Sequence, residues 1–142
     1  MFDGVVNLGS TLIIALILFV IGFLWHGPIF GKLWLKLSKI PAAEIAKGKK
    51  KGMAGMWKQM LLNFIGNFIM VYVFAGFLSL LGVVVPLQGA VIGFWIWLGF
   101  FACTTLLSST LWEGKSWSLF AFSGLYWLVV LKLTGFLIVL WN

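Results

Sequence analysis

Apolar residues along this chain fall into four long runs, not into alternating or amphipathic stripes. The runs cover about residues 5–28, 58–81, 87–112 and 117–141. A helix rising about 1.5 Å per residue needs roughly 20 apolar residues to cross about 30 Å of hydrocarbon, and each run meets that length. Backbone polar groups cannot be left bare in lipid, so the runs are expected to be helices. A β-barrel would alternate in segments of about ten residues, and no segment does so. The pattern predicts one all-α integral membrane domain, residues 1–142, with four transmembrane helices and a polar loop over about 29–57.

The loops give the expected orientation. Lys32, Lys36, Lys39, Lys47, Lys49, Lys50, Lys51 and Lys58 lie between the first two runs, and Lys115 lies between the last two. The other side offers Asp3, the connection at residues 82–86, and Asn142. The positive-inside rule then puts both lysine-bearing loops in the cytoplasm and both termini outside, across a cell inner membrane. The start of the chain lacks the basic region of a signal peptide, so the first run is expected to remain as an anchor. Within the long loop, Lys32, Lys36 and Lys39 are spaced for one helix face, and Leu33, Leu37 and Ile40 for another. Such a helix suits the headgroup layer. Pro41 and Glu44 suit the start of a second helical piece, which Gly48 to Gly52 would interrupt. Lys32, Lys36, Lys39, Lys49, Lys50 and Lys51 are the candidates for contact with lipid headgroups, with an acidic partner as the alternative. Trp25, Trp34, Trp57, Trp112, Trp117 and Trp141 lie near predicted span ends, as an interfacial aromatic belt would place them. Trp95, Trp97 and Trp127 lie deeper, where they are expected to pack between helices or against lipid tails.

Composition supports the membrane class. Hydrophobic residues make up 63% of the chain and charged ones 9%, against about 45–50% and about 25% in soluble domains. The ten basic residues are all lysine, and topology explains their placement. No base-reading module accompanies them, so no nucleic-acid partner is expected.

Inside the runs a few polar residues stand out. Lys132 lies nine residues before Trp141, or about 13 Å of helix. A charge that deep costs at least about 2.5–3.5 kcal/mol on insertion scales, so it either snorkels or binds something. Asn63 and Asn67 share one helix face and would either bond between helices or line a small cavity. Thr104, Thr105, Ser108, Ser109 and Thr110 would bond to their own helix carbonyls or face a wet pocket. Gly89 and Gly93 form a GxxxG motif, where another helix can approach closely.

Enzyme chemistry has little to work with. There are no paired carboxylates, no phosphate loop and no complete nucleophilic triad. Cys103 is the one cysteine and has no metal-ligand cluster around it, so no cofactor or metal is expected. His26 and Glu113, both at predicted cytoplasmic span ends, form the one conceivable acid–base pair. Catalysis would demand hydrogen-bond reach between them.

The chain also echoes itself. Leu24-Trp25-His26-Gly27 parallels Leu111-Trp112-Glu113-Gly114, and Gly31-Lys32-Leu33-Trp34 parallels Gly114-Lys115-Ser116-Trp117. Gly76-Phe77-Leu78 and Gly135-Phe136-Leu137 match in the second and fourth runs. Two parallel-repeated helical hairpins would account for this. The stretch GFLWHGPIFGKLW resembles the first signature of a bacterial membrane family, domain of unknown function 1761. GFWIWLGFFACTTLLSSTLWEGKSW resembles its second, and Tyr126 fits a tyrosine in the last span. The family often has tyrosine where this chain has His26, which argues against an obligatory imidazole role. The resemblance implies the fold and no activity.

The leading expectation is a non-catalytic subunit or scaffold, packing against lipids, itself as a homo-oligomer, or another membrane protein. The alternative is a small transporter or channel whose route is lined by Lys132, Asn63, Asn67, Thr104 and Ser108.

Overall fold

The computed structural model describes residues 6–52 and 54–141. Asp3, Asn142 and the predicted start of the first span at Val5 lie outside the described residues. The described chain is helical with no strands, and four of its segments are long and apolar enough to cross a membrane: Leu8–Ile29, Ala54–Leu80, Pro86–Trp112 and Trp117–Trp141. It is an all-α membrane protein.

Helix α1, Leu8–Leu24, starts where the Asn7 side chain accepts bonds from the Gly9 and Ser10 amides, at 2.9 and 3.2 Å. These satisfy amides that have no partner in the first turn. The span continues as a π-helical turn, Trp25–Ile29. Pro28 explains the change, because it lacks the N–H that would bond Leu24 and its ring crowds that carbonyl. The Phe30 amide reaches back five residues, to the Trp25 carbonyl at 3.2 Å.

Two short helices, α2 (Gly31–Ser38) and α3 (Ala42–Lys51), form the basic loop. The expected interruption at Gly48 is absent. Instead α3 runs through to Lys51, with Lys49, Lys50 and Lys51 in its last turn and Glu44 in its first. Both placements complement the helix dipole. All six lysines proposed for headgroup contact are exposed.

Helix α4, Trp57–Leu80, follows a single 3-10 turn, Ala54–Met56. The third span opens with α5, Pro86–Ile96, passes through a ten-residue π-helical stretch, Trp97–Leu106, and ends as α6, Leu107–Trp112. Helix α7, Trp117–Trp141, is the last span. The short connections at 81–85 and 113–116 make neighbouring spans antiparallel, and each turns at a glycine of positive φ, Gly82 at 67° and Gly114 at 71°. Few other residues tolerate that backbone.

α1 packs on α4, and α5 packs on α7. The second pairing is the tighter, because Gly89 and Gly93 lie directly on the backbone of α7. A methyl group on Gly89 would sit 2.8 Å from the Gly135 carbonyl carbon, and one on Gly93 would sit 2.7 Å from that of Leu131. The GxxxG motif thus finds its partner helix within the same chain.

Helix α7 joins the pairs. The core cluster draws Ile14 and Leu18 from α1, Val71, Phe74, Ala75 and Leu78 from α4, and Tyr126, Val130 and Ile138 from α7. The last span is the most enclosed, 39% buried over its most apolar window, and the third the least, at 11%. Large apolar side chains such as Leu12, Leu16, Leu62, Ile69, Val91 and Phe100 face outward, as lipid solvation requires.

Candidate functional site

The first, second and fourth spans each bring one face to a shared cavity. Phe19, Gly22, Phe23 and His26 are spaced at three and four residues along the first span, and so share a face. Gln59, Asn63 and Asn67 do the same on α4, with Met56 and Met60 beside them. Ser123, Tyr126 and Trp127 face them from α7. Trp34 of α2 completes the wall, and the cavity measures about 550 Å³.

The π turn sets the geometry around His26. It lets α2 fold back so that Trp34 meets the imidazole edge-on, with ring centroids 5.3 Å apart. The fold-back is close, since a methyl on Gly31 would lie 3.0 Å from the His26 carbonyl oxygen. Tyr126 and Phe122 flank the same ring at 4.8 and 6.0 Å. The Tyr126 hydroxyl rests on Gly22, where an added Cβ would lie 2.7 Å from it. His26 Nδ1 is 3.0 Å from the Gly22 carbonyl oxygen. A carbonyl can only accept, so Nδ1 carries the proton of this bond and, in the neutral ring, Nε2 presents a lone pair.

No lysine, aspartate or glutamate lines the cavity; its polar groups are His26, Gln59, Asn63, Asn67, Ser123 and Tyr126. Beyond the Nδ1 bond, none of these side chains hydrogen-bonds to another described residue. No group of His, Cys, Asp and Glu able to hold a metal occurs among the described residues.

The residues singled out from sequence separate here. Asn63 and Asn67 line the cavity; Lys132, Thr104 and Ser108 do not, and all three are exposed on the outside of the bundle. Thr104 gives its hydroxyl to the Phe100 carbonyl, and Thr110 gives its own to Leu106 at 3.2 Å, so these hydroxyls serve their own helix. His26 and Glu113 do not pair. The one ion pair among the described residues joins Lys47 and Glu44 at 3.7 Å, and Glu113 is exposed away from the cavity. Trp25 is no belt residue either: it turns inward against Phe30, Phe122 and Tyr126, with its indole nitrogen buried.

Sequence reasoning missed Gln59, Trp34, Ser123 and Tyr126 as cavity residues. Gln59 was within reach, lying four residues before Asn63 on the same face. The others depend on how α2 and α7 pack, which local spacing does not encode.

Fold and site together define a four-helix membrane protein with a polar cavity, free of lysine and carboxylate, between its packed helices. The chain belongs to the family described as protein of unknown function (DUF1761), whose model matches residues 10–139. No curated protein and no solved structure matches the chain.

Proposed function

We propose that this protein is a non-catalytic subunit of the cell inner membrane that holds a small uncharged polar molecule, or a lipid headgroup, in its cavity. The observation that carries this reading is the convergence of six polar side chains, none of them a lysine or a carboxylate, that have no hydrogen-bond partner among the described residues beyond the single Nδ1 bond. Each polar group left unsatisfied in hydrocarbon costs several kcal/mol. Water or a ligand must therefore meet them, and about 550 Å³ is ample room for a small molecule. Of groups suited to proton transfer the cavity lining holds His26 and the Tyr126 hydroxyl, with no carboxylate or lysine beside them.

In this reading the lysine-rich loop faces the cytoplasm, both termini lie outside, and the exposed lysines of α2 and α3 rest on anionic headgroups. The weakly enclosed third span is the surface offered to lipid, a second copy or another membrane protein.

Transport is the second reading, favoured by Asn63 and Asn67 lining the cavity. It loses support from Lys132, Thr104 and Ser108, which lie off any route through it.

The test is gentle detergent extraction followed by native mass spectrometry. Wild type should retain a non-protein adduct that the folded Asn63→Leu/Asn67→Leu variant releases. Identical adduct patterns in the two proteins would overturn the reading.

A further inference from the structure

We infer that the ligand presents an uncharged, hydroxyl-bearing head, of the kind found in diacylglycerols, glycosyl-diacylglycerols and free polyols, with one hydroxyl donating to Nε2 of His26. This rests on the cavity being a ligand site and adds the chemistry of what fills it.

Charge is the first constraint. No lysine, aspartate or glutamate lines the cavity, so neither a phosphate nor an ammonium head would find a counter-charge there. Moving an ionised head into such a wall without a partner is prohibitive.

The histidine supplies the second. With Nδ1 committed to the Gly22 carbonyl, the remaining ring nitrogen of the neutral imidazole accepts. A ligand built only of acceptors, such as a quinone, would leave it unpaired. One carrying O–H groups would not.

The rest of the wall agrees. Gln59, Asn63 and Asn67 each offer donors and an acceptor, and the Ser123 and Tyr126 hydroxyls offer both. Hydroxyl groups, which also donate and accept, can pair with every member of that set. Trp34 and Trp127 add aromatic walls for the apolar face of the head. Phe23, also at the cavity, is 48% exposed, so the wall continues onto the outer apolar surface of α1, where acyl chains would lie.

His26 is the single histidine of the chain, which gives a clean readout. Protein labelled with ¹⁵N-histidine would be placed in phosphatidylcholine nanodiscs, and its two ring-nitrogen resonances followed. The expected starting state is Nδ1 protonated and Nε2 unprotonated. Adding dioleoylglycerol or monoglucosyl-diacylglycerol should shift the Nε2 resonance in the direction of an accepted hydrogen bond, and ubiquinone should not. A shift with glycerol or glucose but not with the lipids supports the hydroxyl chemistry and assigns an aqueous source. His26→Phe keeps the ring contacts but loses the acceptor, and should weaken binding about tenfold, as read from quenching of tryptophan fluorescence.

An Nε2 that carries the proton, or one that responds to none of the hydroxylated probes, overturns the inference. So does a retained adduct that proves to be a charged phospholipid. In those cases, an adduct still lost in Asn63→Leu/Asn67→Leu leaves the cavity reading standing. No adduct in wild type brings down the reading beneath.

Discussion

Replacing Gly89 by alanine should pry apart the tightest seam in the molecule. The new methyl would meet the Gly135 backbone at 2.8 Å from its carbonyl carbon and Val139 at 3.0 Å. Backbone cannot swing aside as a side chain can, so α5 and α7 must separate. Restoring ordinary contact at the carbonyl carbon requires roughly 0.6 Å and at the nearer carbonyl oxygen more, and a gap of about 0.5–1 Å already forfeits a quarter to a half of each dispersion well along the seam. Overpacking of this kind costs about 1–3 kcal/mol, and better helix propensity returns up to about 1 kcal/mol. The net loss should be on the order of 1–2 kcal/mol. Gly66→Ala is the matched control, because nothing lies within 4 Å of its added Cβ. It should be neutral or stabilising by up to about 1 kcal/mol. Equilibrium unfolding by SDS in mixed micelles, followed by circular dichroism, measures both. If Gly89→Ala and Gly66→Ala unfold at the same SDS fraction, the backbone-to-backbone contact is not what holds the second pair of helices together.

Three further outcomes are expected. Thr134 is fully buried and donates to the Val130 carbonyl at 2.6 Å, so Thr134→Val should cost about 1 kcal/mol in the same titration. Thr104→Val, on the exposed face, should change it little. Cys103 is exposed on the third span, where lipid would surround it. A hydrophilic maleimide needs thiolate and water, so it should label Cys103 slowly in intact membranes and rapidly in SDS; equal rates would take that face out of the hydrocarbon. In a Cys103→Ser background, Lys50→Cys should react with an impermeant maleimide only after the inner membrane is opened. Labelling of intact spheroplasts would reverse the proposed orientation.

The spans were legible because runs of this length have few soluble explanations. The Gly89/Gly93 motif was legible as a place of close approach, but its partner, Gly135, belongs to a helix some 40 residues on. Asn63 and Asn67 could be read as cavity residues because their spacing fixes a common face. Lys132 is read from sequence as either snorkelling or binding something, and its exposed place off the cavity suits the first. The cost of a buried charge says that a residue is unusual, and not which way its helix is turned. His26 and Glu113 do not pair for a related reason: sharing an end of the bundle leaves rotation about each helix axis undetermined. Trp25 looked like a belt residue by position, yet the π turn at Pro28 rotates it into an aromatic cluster.

The contrast between the two ways helices meet here also distributes stiffness. α5 and α7 touch backbone to backbone and have no slack between them. α1 and α4 meet α7 partly across a cavity, through side chains that can change rotamer. The softest collective motion should therefore be a rocking of the first pair against α7, with the long basic loop giving slack and the glycine seam serving as the fixed wall. Amide hydrogen exchange should protect α5 and the second half of α7 more than the part of α4 beside Asn63. An occupant bridging His26, Asn63 and Ser123 would then act as a wedge, and the protein would be most rigid when loaded.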